Sequence, residues 1–465
     1  MYFFEEGQWE KDRPFLISDQ EGTVTYGDLD TFAETIGKKL KKRKLVFLLC
    51  RNMPGCVMGY FSFLRKGVVP LLLEGEIEYD KVKRLMERYE PDYLYVPEER
   101  PEFAGETEKL YSGRHYCLYG RNNSNSTVLH QDLALLLTTS GSTGSPKLVR
   151  QSYENIQSNA EAIVRYLELD SRERPITTLP MSYTYGLSII HSHAACGAAV
   201  LLTESAMFQQ EFWDFFRREK ATSFGGVPFT YEMLDRLHFY QMDLPSLRTM
   251  TQAGGKLSKS LQKRFALYAE HTGRNFIIMY GQTEATARML YLPGEYAGTK
   301  AGSIGIPIPG GKFSIVRGEL VYEGKNVTLG YAEKKEDLAK GDERHGVLYT
   351  GDMARVDEEG FYYITGRKKR FIKILGKRVN LDEVEQILKE KYPGITAACT
   401  GKDDHLNIFV EKKEKIQEAE LLDFISGSLH MNEDSFHLFQ LERFPVNESG
   451  KIQYSELEGG ECLTN

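Results

Sequence analysis

The stretch Thr138–Lys147, TTSGSTGSPK, lies between two apolar patterns that indicate different secondary structures. Before it, the run Leu133–Leu137 has the length and flanking residues of a buried strand. After it, one helical face collects the apolar residues Ile156, Ala160, Ile163, Val164 and Leu167. The order strand, loop, helix predicts an α/β fold around this loop.

The loop combines glycines, hydroxyl side chains and Lys147. Glycines let backbone N–H groups close on an anion, hydroxyls add donors, and lysine adds a positive charge, so this composition favours a polyphosphate site. A Ser/Gly-rich surface loop has the same composition and remains an alternative. A Walker-type P-loop does not fit, because Pro146 precedes the lysine and Leu148 follows it.

The length of 465 residues exceeds one ordinary core and predicts at least two domains. Hydrophobic residues make up 41% and charged residues 27%, as in globular proteins. The net charge of −7 gives no reason to expect nucleic-acid binding.

Cysteine usage and hydropathy predict a cytoplasmic protein. The six cysteines are scattered without a C-x-x-C pair, which favours reduced thiols over disulfides or zinc. The N-terminus lacks the basic start of a signal peptide. The longest apolar stretch, Val57–Leu73, is interrupted by Arg65 and Lys66, so we expect no membrane span.

Alternating strand and helix patterns over residues 14–74 predict a largely parallel sheet. Residues 98–130 are polar and predict an irregular connection. From Gly302 onward, short strands separated by glycine and proline predict a small β subdomain. His191 and His193 form an H-x-H pair that fits packing better than metal binding, because no third ligand is apparent.

The chain changes character near Arg367–Lys369, where a basic run interrupts two strand patterns. Beyond it, strands and helices predict a separate α+β module of about a hundred residues. We therefore expect a large N-terminal domain over residues 1–366, a hinge over 367–369 and a small C-terminal domain over 370–465.

Five motifs stand in a fixed order between residues 139 and 452: Thr139–Lys147, Tyr280–Glu284, Tyr349–Asp352, Gly366–Val379 and Asn447–Ile452. Together they resemble the adenylate-forming (ANL) superfamily of AMP-forming acyl-CoA synthetases, adenylation domains of peptide synthetases, and luciferases. The resemblance implies a large N-terminal AMP-binding domain and a small mobile C-terminal lid. It also implies ATP-dependent activation of a carboxylic acid to an acyl-adenylate, followed by transfer to a thiol.

The resemblance assigns each motif a role in ATP chemistry, with Lys451, Thr283, Glu284 and Lys147 as the catalytic residues. Lys147 holds the β- and γ-phosphates, Thr283 contacts the α-phosphate, and Glu284 binds Mg²⁺, which prefers oxygen ligands. Lys451 bridges the carboxylate and the α-phosphate. The residues expected to bind the nucleotide are Thr139, Ser140, Gly141, Ser142, Thr143, Gly144, Lys147, Gly254, Gly255, Lys256, Tyr280, Gly281, Gln282, Thr283, Asp352 and Arg367.

The hinge motif implies a second half-reaction. Lys369 occupies the family's hinge position, where Asp or Lys is usual, and the loop at Gly376 would then face a pantetheine thiol. Either coenzyme A or the phosphopantetheine arm of an acyl carrier protein can supply that thiol.

The acid-binding pocket is expected to lie in the large domain. Its expected lining residues are Tyr183, Tyr185, Gly186, Phe229, Gln252 and Met279. Amino-acid-activating relatives place an aspartate in the first pocket loop, whereas residues 179–190 hold no acid, which argues against an α-amino acid. Tyr183 stands where acyl-CoA synthetases often carry histidine. The lining favours a small aryl or medium aliphatic acid.

Three functions therefore remain open. The favoured one is an AMP-forming acyl-CoA synthetase, and the second loads an acyl or aryl group onto a carrier protein. The third is an inactive nucleotide-binding protein, against which the intact Lys147, Glu284, Asp352 and Lys451 argue. Luciferase-like oxygenation has no support beyond kinship. The sequence is compatible with a monomer or a homodimer.

Overall fold

The computed structural model describes residues 2–105, 107–121, 127–138, 147–368, 370–374, 377–392, 394–411, 418–429, 436–446 and 452–458. These residues form two compact units. The larger contains the described residues up to 313 and those from 322 to 348, and the smaller contains 314–321 and the described residues from 349 onward. The hinge expected at 367–369 stays a prediction.

The larger unit contains two sheets. The strands of the eight-stranded sheet are β3 (Leu45–Cys50), β4 (Val69–Glu74), β5 (Tyr93–Pro97), β6 (Glu108–Gly113), β7 (Tyr116–Gly120), β8 (Leu133–Thr138), β9 (Leu148–Ser152) and β19 (Gly330–Ala332). Their order is β19-β9-β8-β4-β3-β5-β7-β6. The central pairs β8–β4, β4–β3 and β3–β5 are parallel, which confirms the expected sheet type for residues 45–74, whereas the strands over residues 14–25 pair antiparallel with each other in the other sheet.

The strands of the nine-stranded sheet are β1 (Pro14–Ser18), β2 (Gly22–Thr25), β10 (Pro175–Ile176), β11 (Val200–Leu202), β12 (Ser223–Gly226), β13 (Thr249–Gln252), β14 (Asn275–Tyr280), β15 (Leu290–Leu292) and β16 (Ile306–Pro307). Their order is β16-β15-β14-β13-β12-β10-β11-β1-β2. The parallel strands β12, β13 and β14 end side by side, and the loops that follow them carry many of the predicted site residues.

Helices pack against both sheets of the larger unit. They are α1 (Tyr26–Gly37), α2 (Pro54–Lys66), α3 (Tyr79–Tyr89), α4 (Tyr153–Tyr166), α5 (Thr184–Ala195), α6 (Gln210–Arg218), α7 (Pro228–Arg236) and α8 (Lys259–Thr272). Helix α4 begins at a capping box in which Ser152 and Asn155 exchange hydrogen bonds. No helix of the described part of the chain has the length and apolar content needed to cross a membrane.

A four-stranded sheet, in the order β17-β18-β20-β21, consists of β17 (Lys312–Val316), β18 (Glu319–Glu323), β20 (Val347–Val356) and β21 (Tyr362–Arg367). The elements that follow, all in the smaller unit, are β22 (Phe371–Ile374), β23 (Lys377–Asn380), α9 (Leu381–Lys391), β24 (Ala397–Lys402), β25 (His405–Glu411), α10 (Glu418–Leu429), β26 (Phe436–Leu441) and α11 (Tyr454–Glu458). This mixture of helices and largely antiparallel strands is the α+β module expected from the sequence.

The prediction of an irregular connection over residues 98–130 was wrong. Strands β6 and β7 form an antiparallel hairpin there, and β7 also pairs with β5. Tyr116–Tyr119 are buried, so this short run supplies core residues that the surrounding polar sequence concealed.

Candidate active site

The chain turns sharply after β14, at the segment Tyr280–Glu284. A Cβ atom on Gly281 would lie 1.5 Å from the carbonyl oxygen of Ala287, so only glycine fits this close approach. Residues Thr283–Ala285 then form a short 3-10 turn that presents Thr283 and Glu284, both half-buried. The Thr283 hydroxyl donates no hydrogen bond to the described residues, which leaves it available to a ligand.

Glu284 is oriented by Tyr331 of β19. The Tyr331 hydroxyl donates to Oε1 of Glu284 at 2.7 Å. Burial, followed by the negative charge of Glu284, raises the pKa of Tyr331 to about 12, so this hydroxyl keeps its proton at neutral pH. Because the tyrosine occupies Oε1, the second carboxylate oxygen can bind a hard cation such as Mg²⁺.

Lys147 approaches the same tyrosine. Its Nζ lies 5.7 Å from the centre of the Tyr331 ring and 2.5 Å from Oε1 of Glu333. The side chains of Lys147 and Glu333 are both about half exposed, so the ion pair can open toward an incoming phosphate. A cation and a carboxylate, Lys147 and Glu284, thus contact one tyrosine.

Arg150 fixes the backbone that carries Tyr331. Its side chain is 0% exposed, and Nε donates to the carbonyl of Tyr331 at 3.0 Å while Nη2 donates to that of Leu329 at 3.1 Å. The guanidinium also pairs with Glu343. Since β9 begins one residue after Lys147 and pairs with β19, Arg150 holds the two chain segments of the site together.

Arg344 and Thr328 donate hydrogen bonds to the backbone carbonyl of Glu284. Nη1 of Arg344 donates to the carbonyl of Glu284 at 3.0 Å, and its guanidinium carbon lies 4.6 Å from the centre of the Tyr331 ring. The amide and hydroxyl of Thr328 each donate to the same carbonyl at 3.0 Å. The position of Glu284 is therefore set by contacts from three residues.

An apolar cluster rich in tyrosine lies beside this turn. Its buried members are Leu179, Tyr185, Ile189, Val227, Ala253, Ile277 and Met279, with Tyr166, Leu167, Tyr183 and Tyr291 packed against them. Met279 is the residue that precedes Tyr280, so the cluster reaches the Tyr280–Glu284 segment along strand β14. Three residues predicted to line the acid pocket, Tyr183, Tyr185 and Met279, meet in this cluster.

Hydrogen bonds fix the rings of the cluster. The Tyr185 hydroxyl donates to the carbonyl of Thr251 at 2.9 Å. Burial raises the pKa of Tyr183 to about 12, so the Tyr183 hydroxyl is neutral at pH 7. Gly254 has φ of +83°, and a Cβ there would lie 2.5 Å from the Tyr183 hydroxyl. Gln252 donates to the carbonyls of Ala253 and Gly255, while its Oε1 is buried with no hydrogen-bond partner among the described residues.

The remaining predicted residues of the larger unit differ in environment. Gly186 is buried at the start of α5, and a Cβ there would lie 2.4 Å from the carbonyl oxygen of Pro180. Gly255 and Lys256 are exposed, and Tyr280 accepts a hydrogen bond from Gln282 at 3.1 Å. Phe229 is 55% exposed and is not a member of the tyrosine cluster, so its contact with the acid stays a prediction.

In the smaller unit, Asp352 and Arg367 face each other across β20 and β21. They are paired in register, and Nε of Arg367 lies 3.4 Å from Oδ1 of Asp352. Gly351 precedes the aspartate with φ of +74°, which glycine adopts without strain. The structure brings together the two residues that we expect to contact the ribose.

Several predicted residues lie outside the described part of the chain: Thr139, Ser140, Gly141, Ser142, Thr143, Gly144, Lys369, Gly376 and Lys451. His191 and His193 are buried, and burial lowers their pKa values to about 3 and about 4. Among the described residues, no group of three or more His, Cys, Asp or Glu side chains could hold a metal ion.

Sequence reasoning missed Tyr331, Arg150, Arg344 and Arg288. Tyr331 is one of 27 tyrosines and carries no distinguishing pattern. Arg288 did give a signal, because it is a charged residue inside the otherwise apolar run Ala287–Leu290, and it is only 3% exposed.

Residues 3–332 match the family model described as AMP-binding enzyme. The chain belongs to the AMP-binding enzyme family. The match contains the Tyr280–Glu284 turn, Tyr331 and the tyrosine cluster, and it confirms the superfamily to which the five sequence motifs pointed.

Curated relatives of this AMP-binding enzyme include the 2-succinylbenzoate–CoA ligase of Bacillus cytotoxicus, 26% identical over 97% of both chains. Bacitracin synthase 3 of Bacillus licheniformis is 24% identical over 98% of this chain but only 8% of that protein. Among solved structures, the o-succinylbenzoate–CoA synthetase of Bacillus subtilis with its acyl-adenylate intermediate has a TM-score of 0.79 and 22% identity. It covers 96% of this chain and 95% of that one.

These similarities confirm two predictions from the sequence. The structural similarity confirms the fold class, an α/β N-terminal part followed by an α+β module. The family and the named ligases confirm an AMP-forming acid–thiol ligase.

Proposed function

We propose that this enzyme activates a small aryl carboxylic acid with ATP and transfers the acyl group to coenzyme A. The observation that carries the proposal is the convergence of Lys147 and Glu284 on Tyr331, next to a cluster lined by tyrosines. Lys147 and Glu284 suit a triphosphate and the cation bound to it, and the tyrosine cluster suits the flat apolar ring of an aryl acid.

Activation joins two anions, because a carboxylate oxygen attacks the α-phosphorus of ATP and pyrophosphate leaves. Lys147 exchanges its partner Glu333 for the β- and γ-phosphates, and Thr283 donates its hydroxyl to the α-phosphate. Glu284, held by Tyr331, binds the Mg²⁺ that offsets the charge of the triphosphate. Lys451 contacts the carboxylate and the α-phosphate as negative charge develops there.

The nucleoside binds through the remaining predicted residues. Tyr280 stacks on the adenine, with Gly254 and Gly255 at its edge, and Asp352 accepts hydrogen bonds from the ribose hydroxyls with Arg367 beside it. The loop Thr139–Gly144 surrounds the β- and γ-phosphates with backbone N–H groups and hydroxyls.

Thioester formation follows a rotation of the small domain about Lys369, which brings Gly376 toward the thiol. The thiol attacks the acyl carbonyl, and AMP leaves with the electron pair of the broken anhydride bond. The proposed acceptor is coenzyme A, supported by the CoA ligase that aligns over 97% of both chains. The match to bacitracin synthase 3 makes a carrier protein the alternative acceptor.

We also propose that the enzyme acts in the cytoplasm. Cys50, Cys56, Cys117, Cys196 and Cys399 are free and buried, which suits a reducing compartment.

Pyrophosphate exchange into ATP tests the proposal directly. The purified enzyme is assayed with benzoate, ferulate, anthranilate, 2-succinylbenzoate, hexanoate and phenylalanine. We expect exchange with at least one aryl acid and none with the amino acid. Each active acid is then offered with coenzyme A and with a phosphopantetheinylated carrier protein, and we expect the thioester of coenzyme A. Exchange with phenylalanine alone, or acylation of the carrier protein alone, contradicts the proposal.

A further inference from the structure

A buried cation, Arg288, contacts the tyrosine cluster, and the activation steps proposed above assign it no role. Its Nε donates to the Ser188 hydroxyl at 3.1 Å, and its Nη1 contacts the Tyr166 hydroxyl at 3.1 Å and Sδ of Met279 at 3.2 Å. The guanidinium carbon lies 5.2 Å from the centre of the Tyr185 ring. Two of these contacts, Tyr185 and Met279, are residues expected to line the acid pocket.

Arg288 has no carboxylate partner among the residues that the structure describes. Arg150, the other buried arginine among the described residues, pairs with Glu343, and the half-buried Arg65 lies 2.7 Å from Asp30. A buried guanidinium without a counter-charge is unfavourable, because neutral hydroxyls and a thioether compensate the lost hydration only in part. Among the described residues, the positive charge of Arg288 is therefore not balanced by a negative side chain.

The guanidinium also keeps donor capacity. Its Nη2 donates no hydrogen bond to a described residue, and it is not among the buried atoms that lack a partner, so solvent still reaches it. A guanidinium presents its donors in a planar fork that matches a carboxylate. The surrounding rings lower the local dielectric constant and strengthen such a contact.

We propose that Arg288 binds a second carboxylate on the acid substrate, so that the enzyme prefers dicarboxylic acids. This inference rests on the proposed function, since it narrows the acid activated at the same site. One carboxylate attacks ATP beside Thr283 and Glu284, and the other pairs with Arg288 in the tyrosine cluster. Tyr185 and Tyr166 position the guanidinium, and the apolar walls hold the part of the acid between its two charges.

The test compares each dicarboxylic acid with the same molecule lacking one carboxylate. The aryl pair is 2-succinylbenzoate and 4-oxo-4-phenylbutanoate, and the aliphatic pair is adipate and hexanoate. In pyrophosphate exchange, the unaltered enzyme should use the diacid of at least one pair with a kcat/KM about 10- to 100-fold above its parent, the range expected for a charge-assisted hydrogen bond. Preference for the parent acid in both pairs overturns the inference, without need of any variant.

Substitution of Arg288 then tests whether this residue causes the preference for diacids. Arg288→Gln should remove the diacid advantage, mainly by raising the KM for the diacid, so that the ratio of kcat/KM between diacid and parent acid falls to about one. Arg288→Lys keeps the charge and should retain part of the advantage. Equal losses with both acids of a pair would show a role in packing alone and contradict the inference.

A matched arginine provides the control. Arg274 also lies 5.2 Å from a tyrosine ring, that of Tyr268, but its other hydrogen bonds go to the carbonyls of Leu247 and Leu244. Arg274→Gln should leave the ratio between diacid and parent unchanged. If parent acids support exchange and diacids do not, the proposed function stands and this inference fails. If no acid supports exchange, both fail.

Discussion

Tyr331 connects the two charged groups of the candidate site. Its hydroxyl holds the Glu284 carboxylate at 2.7 Å, and its ring lies 5.7 Å from Nζ of Lys147. Because Tyr331 touches Glu284 and not the expected position of the acid, we propose that it positions Glu284 for the cation that accompanies ATP.

Replacement Tyr331→Phe removes the hydroxyl and keeps the ring. We expect the KM for Mg·ATP in pyrophosphate exchange to rise by about 3- to 10-fold, the effect of losing one hydrogen bond to a carboxylate, and the Mg²⁺ concentration for half-maximal exchange to rise with it. The KM for the acid should stay unchanged.

Tyr240→Phe is the matched control, because Tyr240 also donates to a carboxylate, Oδ1 of Asp235 at 3.1 Å, away from the site. Equal behaviour of the two variants would contradict the role given to Tyr331.

At the scale of elements, β9 and β19 form one unit because Arg150 joins them. A fully buried guanidinium that donates to several carbonyls leaves all of them unsatisfied when it is removed. We expect Arg150→Met to lower the free energy of unfolding of the larger unit by about 3–5 kcal/mol.

Urea unfolding followed by tryptophan fluorescence measures this loss, since both tryptophans, Trp9 and Trp213, lie in the larger unit. Arg172→Met serves as the control, because the Arg172 side chain is 78% exposed and its ion pair should contribute within about 0.5 kcal/mol. Similar midpoints for the two variants would refute the stabilising role.

Helix α5 predicts a pH dependence of stability. Burial lowers the pKa of His191 to about 3 and that of His193 to about 4, from an ordinary 6.5. The unfolded chain therefore binds more protons than the folded one below pH 6.5, so stability falls as the pH decreases from 6.5 toward 4. Two such histidines should lower the free energy of unfolding by roughly 2–3 kcal/mol for each unit of pH decrease in this window.

Comparison of urea midpoints at pH 7.5 and pH 5.5 tests this expectation. His193 donates from Nδ1 to the carbonyl of Ile189 at 2.8 Å, and exposed His271 makes the same contact with Leu267 at 2.8 Å. His193→Asn should reduce the loss of stability at acid pH, whereas His271→Asn should not. An unchanged midpoint of the wild-type protein at pH 5.5 would exclude the predicted effect.

Some secondary-structure elements can be predicted from the sequence, and others cannot. The apolar run Phe276–Met279, followed by Tyr280 and Gly281, predicts a strand, and it lies within β14. The spacing of Asn380 and Glu383 predicts a capping box at the start of a helix. Asn380 does cap α9, but its side chain accepts from the amide of Asp382 at 3.0 Å and not from that of Glu383. The β6–β7 hairpin escaped prediction because tertiary pairing with β5 outweighs its polar local sequence.

The residues of the candidate site also fall into those that the sequence predicts and those that it does not. Residues with a required chemistry at a required spacing, such as Gly281, Glu284 and Asp352, can be found from the sequence. Residues that act by long-range contact cannot: Tyr331 is 47 positions from Glu284, and Arg288 is 100 positions from Ser188. Spatial neighbours of this kind appear only when the chain is folded.

At the scale of the whole molecule, the proposed function has two half-reactions that use different residues of the expected C-terminal domain. We propose that Lys451 serves adenylation and that the loop at Gly376 serves thioester formation after rotation about Lys369. A single lysine substitution should therefore separate the two reactions.

Lys451→Ala tests this central claim most directly, when both half-reactions are measured on the same preparation. We predict that carboxylate-dependent pyrophosphate exchange falls by at least about 100-fold, as for loss of a charge that stabilises the transition state. Thioester formation from a supplied acyl-adenylate and coenzyme A should stay within about threefold of wild type. Equal loss in both assays, or unchanged exchange, would contradict the account.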